Sequence, residues 1–503
     1  MQWLDEHPHA PDVSFDGGNL DCGNGLLLLI RRHIDPLKPG ELLEVLSSES
    51  SVEEDLPAWA RMTGNELISK IRQGSKRSYL IRKRSSSTNF AGTQLPSAST
   101  RSESPMPQHL PATTVAEIAP LTVMGVGSWP RPRWMLQALD EYLRGRMDEA
   151  TFQSTADDAV RLAIQAQERA GVEVVTDGEQ RRDSYASFVG TRLDNCQLVP
   201  IVDLLPYVED PASFEKELRA LDVPADTVRH PAILGPIQRT QPMTAHELRF
   251  ARSVTTRPVK IALPGPYLLT RTMWLECVSD RVYSDREQLA DDVIRVLREE
   301  VEDLLDAGAA LIQFDEPVLT EVVFGRPTHS RSFMCGALGE RRDAESELDF
   351  AGQLLHKVLQ GFPRERLALH VCRGNWSPDE TVALEGDYAP LMPLLKTIPV
   401  GIFFLEMCTP RAGELGLLKD LPEASRLGLG VVNPKSCHVE SVDSILARAE
   451  EAISLLGPER VLLNPDCGFA TFATSPLSGS ELAAQKLAAI VEASSSLRSK
   501  YLN

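Results

Sequence analysis

The sequence predicts an α/β chain in which a (β/α)8 barrel follows a small α/β sandwich. Three observations carry this. Over residues 121–503, eight short apolar runs alternate with amphipathic helical patterns. Polar residues gather just past the ends of those runs, where a barrel keeps its working face: Ser128, Asp177, Glu179, Asp315, Glu316, His370, Cys372, Glu406, Lys435, Asp466 and Cys467. Composition also changes abruptly after "YLIRKR", where a Ser-, Thr- and Pro-rich stretch carries neither a strand nor a helix period. The expected domains are 1–84, the sandwich; 85–116, a linker; and 117–503, the barrel.

In chain order the first domain reads strand, helix, strand, helix, strand: "VSFDG", "GLLLLIRRHI", "ELLEVLSS", "LPAWARMTG" and "RSYLIRK". The barrel strands are "LTVMGVGS", "EVVTDGE", "VKIALPGP", "LIQFDEP", "LALHVCR", "GIFFLEM", "LGLGVVN" and "VLLNPDCGF". Between them lie helices such as "TADDAVRLAIQAQERAG" and "ADDVIRVLREEVEDLLDAG", with apolar residues three and four apart and a terminal Gly suited to a left-handed cap. A doubly wound open sheet is the competing architecture. The count of eight and the placing of the polar residues favour the barrel.

The formal charge of −19 over 503 residues disfavours nucleic acid or an anionic membrane as partner and suits a small neutral or zwitterionic substrate. No run has the length of a membrane span, and the start "MQWLDEHPHA" lacks the basic and apolar parts of a signal peptide, so the expected location is cytoplasmic. Eight cysteines scattered without framework spacing point to free thiols, metal ligands or reactive sites.

Four strand-end residues form the candidate metal set: His370, Cys372, Glu406 and Cys467. Residues two apart on a strand face the same way, so one strand can offer both His370 and Cys372 to the barrel axis. Imidazole, thiolate and carboxylate together suit zinc (Zn2+), and a zinc with two thiolates and an open position activates a thiol. An isolated H-x-C pair also fits an ordinary packed core; Cys467 at another strand end tips the balance. Cys408, two residues beyond Glu406, remains an alternative to that carboxylate.

"GVGSWPRP", "TDGEQRRDSYASF", "QFDEPVL", "LHVCRGN", "FFLEM" and "LLNPDCGF" resemble, in order and spacing, the catalytic barrel of the cobalamin-independent methionine synthases. The resemblance implies the same four zinc ligands. It further implies that Val126, Gly127, Ser128 and Glu179 hold the ends of homocysteine, that Asp315 contacts its amino group, and that Trp274 stacks on the methyl donor. The family's histidine acid after the seventh strand is missing: Lys435 stands roughly there and His438 three residues on, and either could donate the proton. The family's second, amino-terminal barrel is also missing, which leaves the donor open between methyltetrahydrofolate and methylcobalamin or another methylcorrinoid, including one on a corrinoid protein.

The amino-terminal segment resembles sulfur carriers of the TusA type, with Cys22 at the carrier position and Cys22-Gly23 where that family has Cys-Pro. A helix amino terminus would favour the thiolate there. The leading expectation is therefore a zinc-dependent methyltransferase making methionine from homocysteine. Alkyl transfer to another small thiol, and sulfur relay through Cys22 to a sulfur-transfer partner, are the alternatives.

Overall fold

The structure, a computed structural model, describes residues 3–20, 26–34, 36–50, 52–63, 65–74, 76–83, 117–201, 228–274, 282–325 and 343–502. Cys22 and the expected linker lie outside them.

Residues in the first unit build a five-stranded sheet in the order β1 (Trp3–Leu4), β4 (Glu66–Gln73), β5 (Lys76–Arg82), β3 (Leu42–Ser47), β2 (Val13–Asp16). Helices Leu27–Ile34 and Val52–Thr63 pack their apolar residues Ile30, Ile34, Val52 and Leu56 against Leu43, Val45, Tyr79 and Ile81 of the sheet. The sandwich was expected; β1 and β4 were not. The polar side of β4 is satisfied from far along the chain, which no local pattern reveals. Lys70 pairs with Glu53 at 2.9 Å and lies over the Trp3 ring, and His7 bridges Ser69 and Ser78 at 2.7 Å each.

Six strands of the second unit form one parallel ladder: β8 (Lys260–Pro264), β9 (Leu311–Asp315), β10 (Leu367–Val371), β11 (Ile402–Leu405), β12 (Arg426–Val432) and β13 (Val461–Pro465). Two further stations close it through single parallel bridges, Val123 to Leu463, Met124 to Val174, and Val175 to Val259. Backbone bonds such as Leu463 N–H to Thr122 O at 3.0 Å and Lys260 N–H to Val175 O at 2.9 Å complete the ring. The sheet is thus a closed eight-membered (β/α)8 barrel, not an open one. An antiparallel pair that the sequence reading missed, β6 (Leu193–Pro200) and β7 (Arg229–Arg239), is inserted between the second and third stations.

The helices start and stop as their sequences dictate. Asp148 and Asp285 cap Glu149–Arg169 and Arg286–Asp306, and Gly171 and Gly308, at φ of +88° and +80°, end them. Alternation fixes what points inward. Met124, Val174, Leu311, Ala368, Ile402, Phe404 and Leu462 fill the barrel core, and counting on by two from several of them reaches Gln313, Asp315, His370 and Glu406. The Phe404 ring covers its register partner Gly428 on the next strand, where a Cβ would come within 2.3 Å of it. Apolar filling below and polar groups above make a floor for the mouth.

Glu300 holds the insertion side of the barrel together. Buried on helix Arg286–Asp306, it accepts bonds from the backbone N–H groups of Met243, Thr244 and Ala245 at 2.6–2.8 Å and from Arg239 at 2.8 Å, so it caps helix Ala245–Val254 from a distance. Glu300→Gln turns one accepting oxygen into a donor facing donors; it should cost about 2–3 kcal/mol, read as a lowered unfolding midpoint with unchanged secondary structure by circular dichroism.

Candidate metal centre

His370 and Cys372 leave β10 on the same side, and the parallel register sets His370 beside Asp315 of β9. Glu406 follows β11 in the same inward phase as Ile402 and Phe404. Cys467 is out of phase with inward Leu462. It reaches the axis because pairing shifts between Gly430 and Val432 and the chain bends past Pro465.

One ligand atom from each of His370, Cys372, Glu406 and Cys467 comes together, all within 4.8 Å of one another and all from buried residues. The two sulfurs are 3.6 Å apart. That is far beyond a disulfide and close to the ~3.8 Å that two thiolates bound tetrahedrally at about 2.3 Å would show. His370 Nδ1 bonds Asp315 Oδ1 at 2.9 Å, while its buried Nε2 has no partner among the described residues. Glu406 Oε1 accepts from Arg373 N–H at 2.8 Å and Asn375 Nδ2 at 2.6 Å. An unsatisfied imidazole nitrogen among two sulfurs and a carboxylate is the donor set of a zinc site, and these residues fit that ion.

Electrostatics describe a site short of positive charge. The bond from Cys467 and the nearby His370 hold the Cys372 thiol well below the ordinary range against its burial. Cys467, facing the Cys372 thiolate, is pushed well up. Burial raises Glu406 well above the carboxylate range, with Cys372 adding to it. Burial also opposes charge on His370, but the Asp315 bond outweighs it and raises the imidazole.

The centre opens on a cleft lined by His370, Cys372 and Cys467 together with Val126, Gly127, Ser128, Glu179, Gln313 and Asp315. The residues expected at homocysteine thus share a cavity with three of the four expected at the metal. Glu179 sits at φ +53°, and Arg131 Nη2 pins its loop by bonding the carbonyls of Glu179 and Arg182 at 2.6 and 2.7 Å. A Cβ at Gly127 would lie 2.1 Å from Glu179 Oε1, so any side chain there would displace that carboxylate. Burial lifts Glu179 to about 7, and its Oε2 has no partner among the described residues.

Other expected residues fall elsewhere. Cys408 is not among the converging donors; its N–H bonds Asp466, and burial pushes its thiol far up. Trp274 is buried at the end of helix Pro266–Met273 and does not line the cleft. Lys435 is buried, donates to Asp379 O at 3.1 Å and is lowered by burial against the charges of Glu380, Glu406, Cys372 and Cys467. His438 is exposed, and its carbonyl accepts from Lys486.

Asn375, which bonds Glu406 and approaches Cys372 Sγ at 3.8 Å, was not singled out by the sequence reading although it stands within the "HVCRGN" run. Nor were Tyr388, whose hydroxyl accepts from Glu406 N–H at 3.1 Å, and Lys260, a lone charge inside an apolar strand.

A family model described as "Cobalamin-independent synthase, Catalytic domain" matches residues 120–206, 214–354 and 366–495, and "Sulfurtransferase TusA" matches 25–83, beginning after Cys22. Similar proteins include the "Methionine synthase" of Saccharolobus solfataricus, 27% identical over 76% of this chain and 95% of that one. That of Sulfurisphaera tokodaii is 26% identical over 77% and 94%. Among solved structures, a B12-independent methionine synthase from Shewanella sp. W3-18-1, in complex with selenomethionine, shares the fold with a TM-score of 0.58 at 21% identity, over 76% of this chain and 99% of that one. A putative vitamin-B12-independent methionine synthase from Listeria monocytogenes does so with a TM-score of 0.53 at 19% identity, over 76% and 99%.

Two outcomes follow for the purified chain. Zinc should bind at one equivalent, and Cys467→Ser or His370→Gln should weaken it by more than the roughly 10–100-fold typical of losing an outer partner, measured by chelator competition; undiminished affinity in both variants would refute the ligand set. The raised pKa of Glu179 means its neutral form favours the fold, a contribution present below the ordinary carboxylate range and lost as pH rises through about 7. Glu179→Gln should therefore raise the unfolding midpoint relative to wild type more above pH 7 than in that acid range.

Proposed function

The chain belongs to the cobalamin-independent methionine synthase family, and from that membership we propose that it is a zinc-dependent methyltransferase moving a methyl group from methyltetrahydrofolate to the thiol of homocysteine, giving methionine. The observation that carries this is the pairing, in one cleft, of two buried atoms without partners among the described residues, His370 Nε2 beside two sulfurs and Glu179 Oε2. The first asks for a metal ion and the second for a cation. An amino acid bearing a thiol answers both when the metal is present.

His370, Cys372, Glu406 and Cys467 hold the zinc, which when bound supplies a Lewis acid that lowers the pKa of a thiol and keeps it nucleophilic. Asp315 and Glu179 receive the substrate ammonium, and backbone groups of Val126, Gly127 and Ser128 receive its carboxylate. An ammonium between two carboxylates removes the cost that burial imposes on Glu179, so binding and ionisation of that loop support one another. The floor of Phe404 and the walls of the mouth exclude water that would otherwise solvate the thiolate.

We assign proton donation to Lys435 over His438: it is buried, its burial makes it a readier proton donor than an ordinary lysine, and it feels the charges of Glu406, Cys372 and Cys467. A free methylcorrinoid is the weaker choice of donor because the family's own description is cobalamin-independent. We retain the division into 1–84, 85–116 and 117–503, with the reaction confined to the last.

Zinc-loaded protein given homocysteine should form methionine with methyltetrahydrofolate and not with methylcobalamin; product from neither donor would sink the proposal. In the same assay Asp315→Asn should raise KM for homocysteine about tenfold or more, the loss of a hydrogen bond to a charged group being worth roughly 1.5–3 kcal/mol, and Lys435→Met should lower kcat while His438→Ala leaves it near wild type.

A further inference from the structure

We propose that Lys260 and Gln313 are positioning residues for the metal centre, acting through Asp315 to decide which ring nitrogen of His370 faces the cleft. The inference rests on the metal reading above and adds two residues to it that touch no ligand atom.

The contacts form one directed chain. Lys260 Nζ bonds Gln313 Oε1 at 2.7 Å, Gln313 Nε2 bonds Asp315 Oδ1 at 2.7 Å, and the same Oδ1 meets His370 Nδ1 at 2.9 Å. All four side chains are buried. An amide flanked by two groups can point either way, and the lysine removes that choice. An ammonium has hydrogens to give and no lone pair, so Gln313 must turn its oxygen to Lys260 and its NH2 to Asp315. Burial pulls Lys260 down to about 7 against the raising charges of Asp315 and Glu179. The Phe404 ring, 4.2 Å from Nζ, favours the ammonium, the form that has no lone pair with which to accept from Gln313 Nε2.

Asp315 accepts, so His370 carries its proton on Nδ1 and presents the lone pair of Nε2, the atom that has no partner among the described residues. Without the relay Asp315 would be free to rotate, and His370 to bind its own proton on the wrong nitrogen. The arrangement also spares one face of Asp315 for the cleft it lines.

The first measurement is the nitrogen spectrum of metal-free protein labelled with 15N-histidine, followed from neutral to alkaline pH, with His370 assigned from the signal absent in His370→Gln. The Nδ1–H tautomer is expected; an Nε2–H tautomer overturns the inference without any variant having to fold. The second is zinc affinity by chelator competition. Gln313→Leu, which cuts the relay, and Gln313→Glu, which keeps the Lys260 contact but cannot donate to Asp315 when ionised, should each weaken zinc by about 10–100-fold. Lys260→Met should weaken it less, because Gln313 can still donate in one of its two amide orientations. Zinc affinity within twofold of wild type in a folded Gln313 variant, by circular dichroism, overturns the positioning role. Failure of the wild type to bind zinc would instead sink the metal reading, while the tautomer spectrum would still judge the relay.

Discussion

Carboxylates and thiols are crowded into a barrel mouth that water barely reaches, and much of the surrounding structure answers to that crowding. Asp177, Glu179, Asp315, Glu316, Glu406 and Asp466 are all buried there. Burial, with neighbouring carboxylates adding to it, lifts Glu179 and Asp466 to about 7 and Glu316 to about 8. A dry carboxylate must lose its charge, gain hydrogen-bond donors or find a cation. The barrel uses all three.

Framework acids are met by fixed backbone donors. Glu316 accepts from the N–H groups of Tyr267 and Leu268 at 2.8 and 2.9 Å, anchoring helix Pro266–Met273, and a Cβ on neighbouring Gly265 would collide with it. Asp466 accepts from Met407 and Cys408 at 2.9 and 3.0 Å and ties β13 to the turn after β11. Arg182 pairs with Glu247 at 2.7 Å and reaches the Ala262 carbonyl at 2.9 Å, securing the loop that carries Glu179. Working groups are treated differently. Glu179 and His370 each retain a buried atom without a partner among the described residues, and both line a cleft where a ligand could supply it. Such an arrangement costs stability in the empty protein and is consistent with a site completed by binding.

Much of this was legible in the primary chain. Alternating apolar runs and helices specify a (β/α)8 barrel because a strand and an amphipathic helix each leave one apolar face needing cover. A period of two puts His370 and Cys372 on one side, and Glu406 two beyond Phe404. The terminal glycines of the two long helices were readable for the same local reason, since only glycine takes positive φ without strain. What the local pattern missed was satisfied from a distance: β4 by His7, Glu53 and Trp3, and the β6 and β7 pair by antiparallel partners inserted between barrel stations.

The sequence by itself determined which residue types would stand at strand ends, and so the chemistry available: soft and anionic donors for a metal, carboxylates for an ammonium. Tertiary structure decided which of them meet. Cys467 joined the cluster through a pairing shift and a bend, Cys408 was turned towards Asp466, and Lys260 and Gln313 were brought into hydrogen-bond contact inside the barrel. Strand periodicity is a property of neighbouring peptide units. Closure of eight strands sets distances between units hundreds of residues apart, and hydrogen bonds, which act over about 3 Å, select partners only once those distances exist.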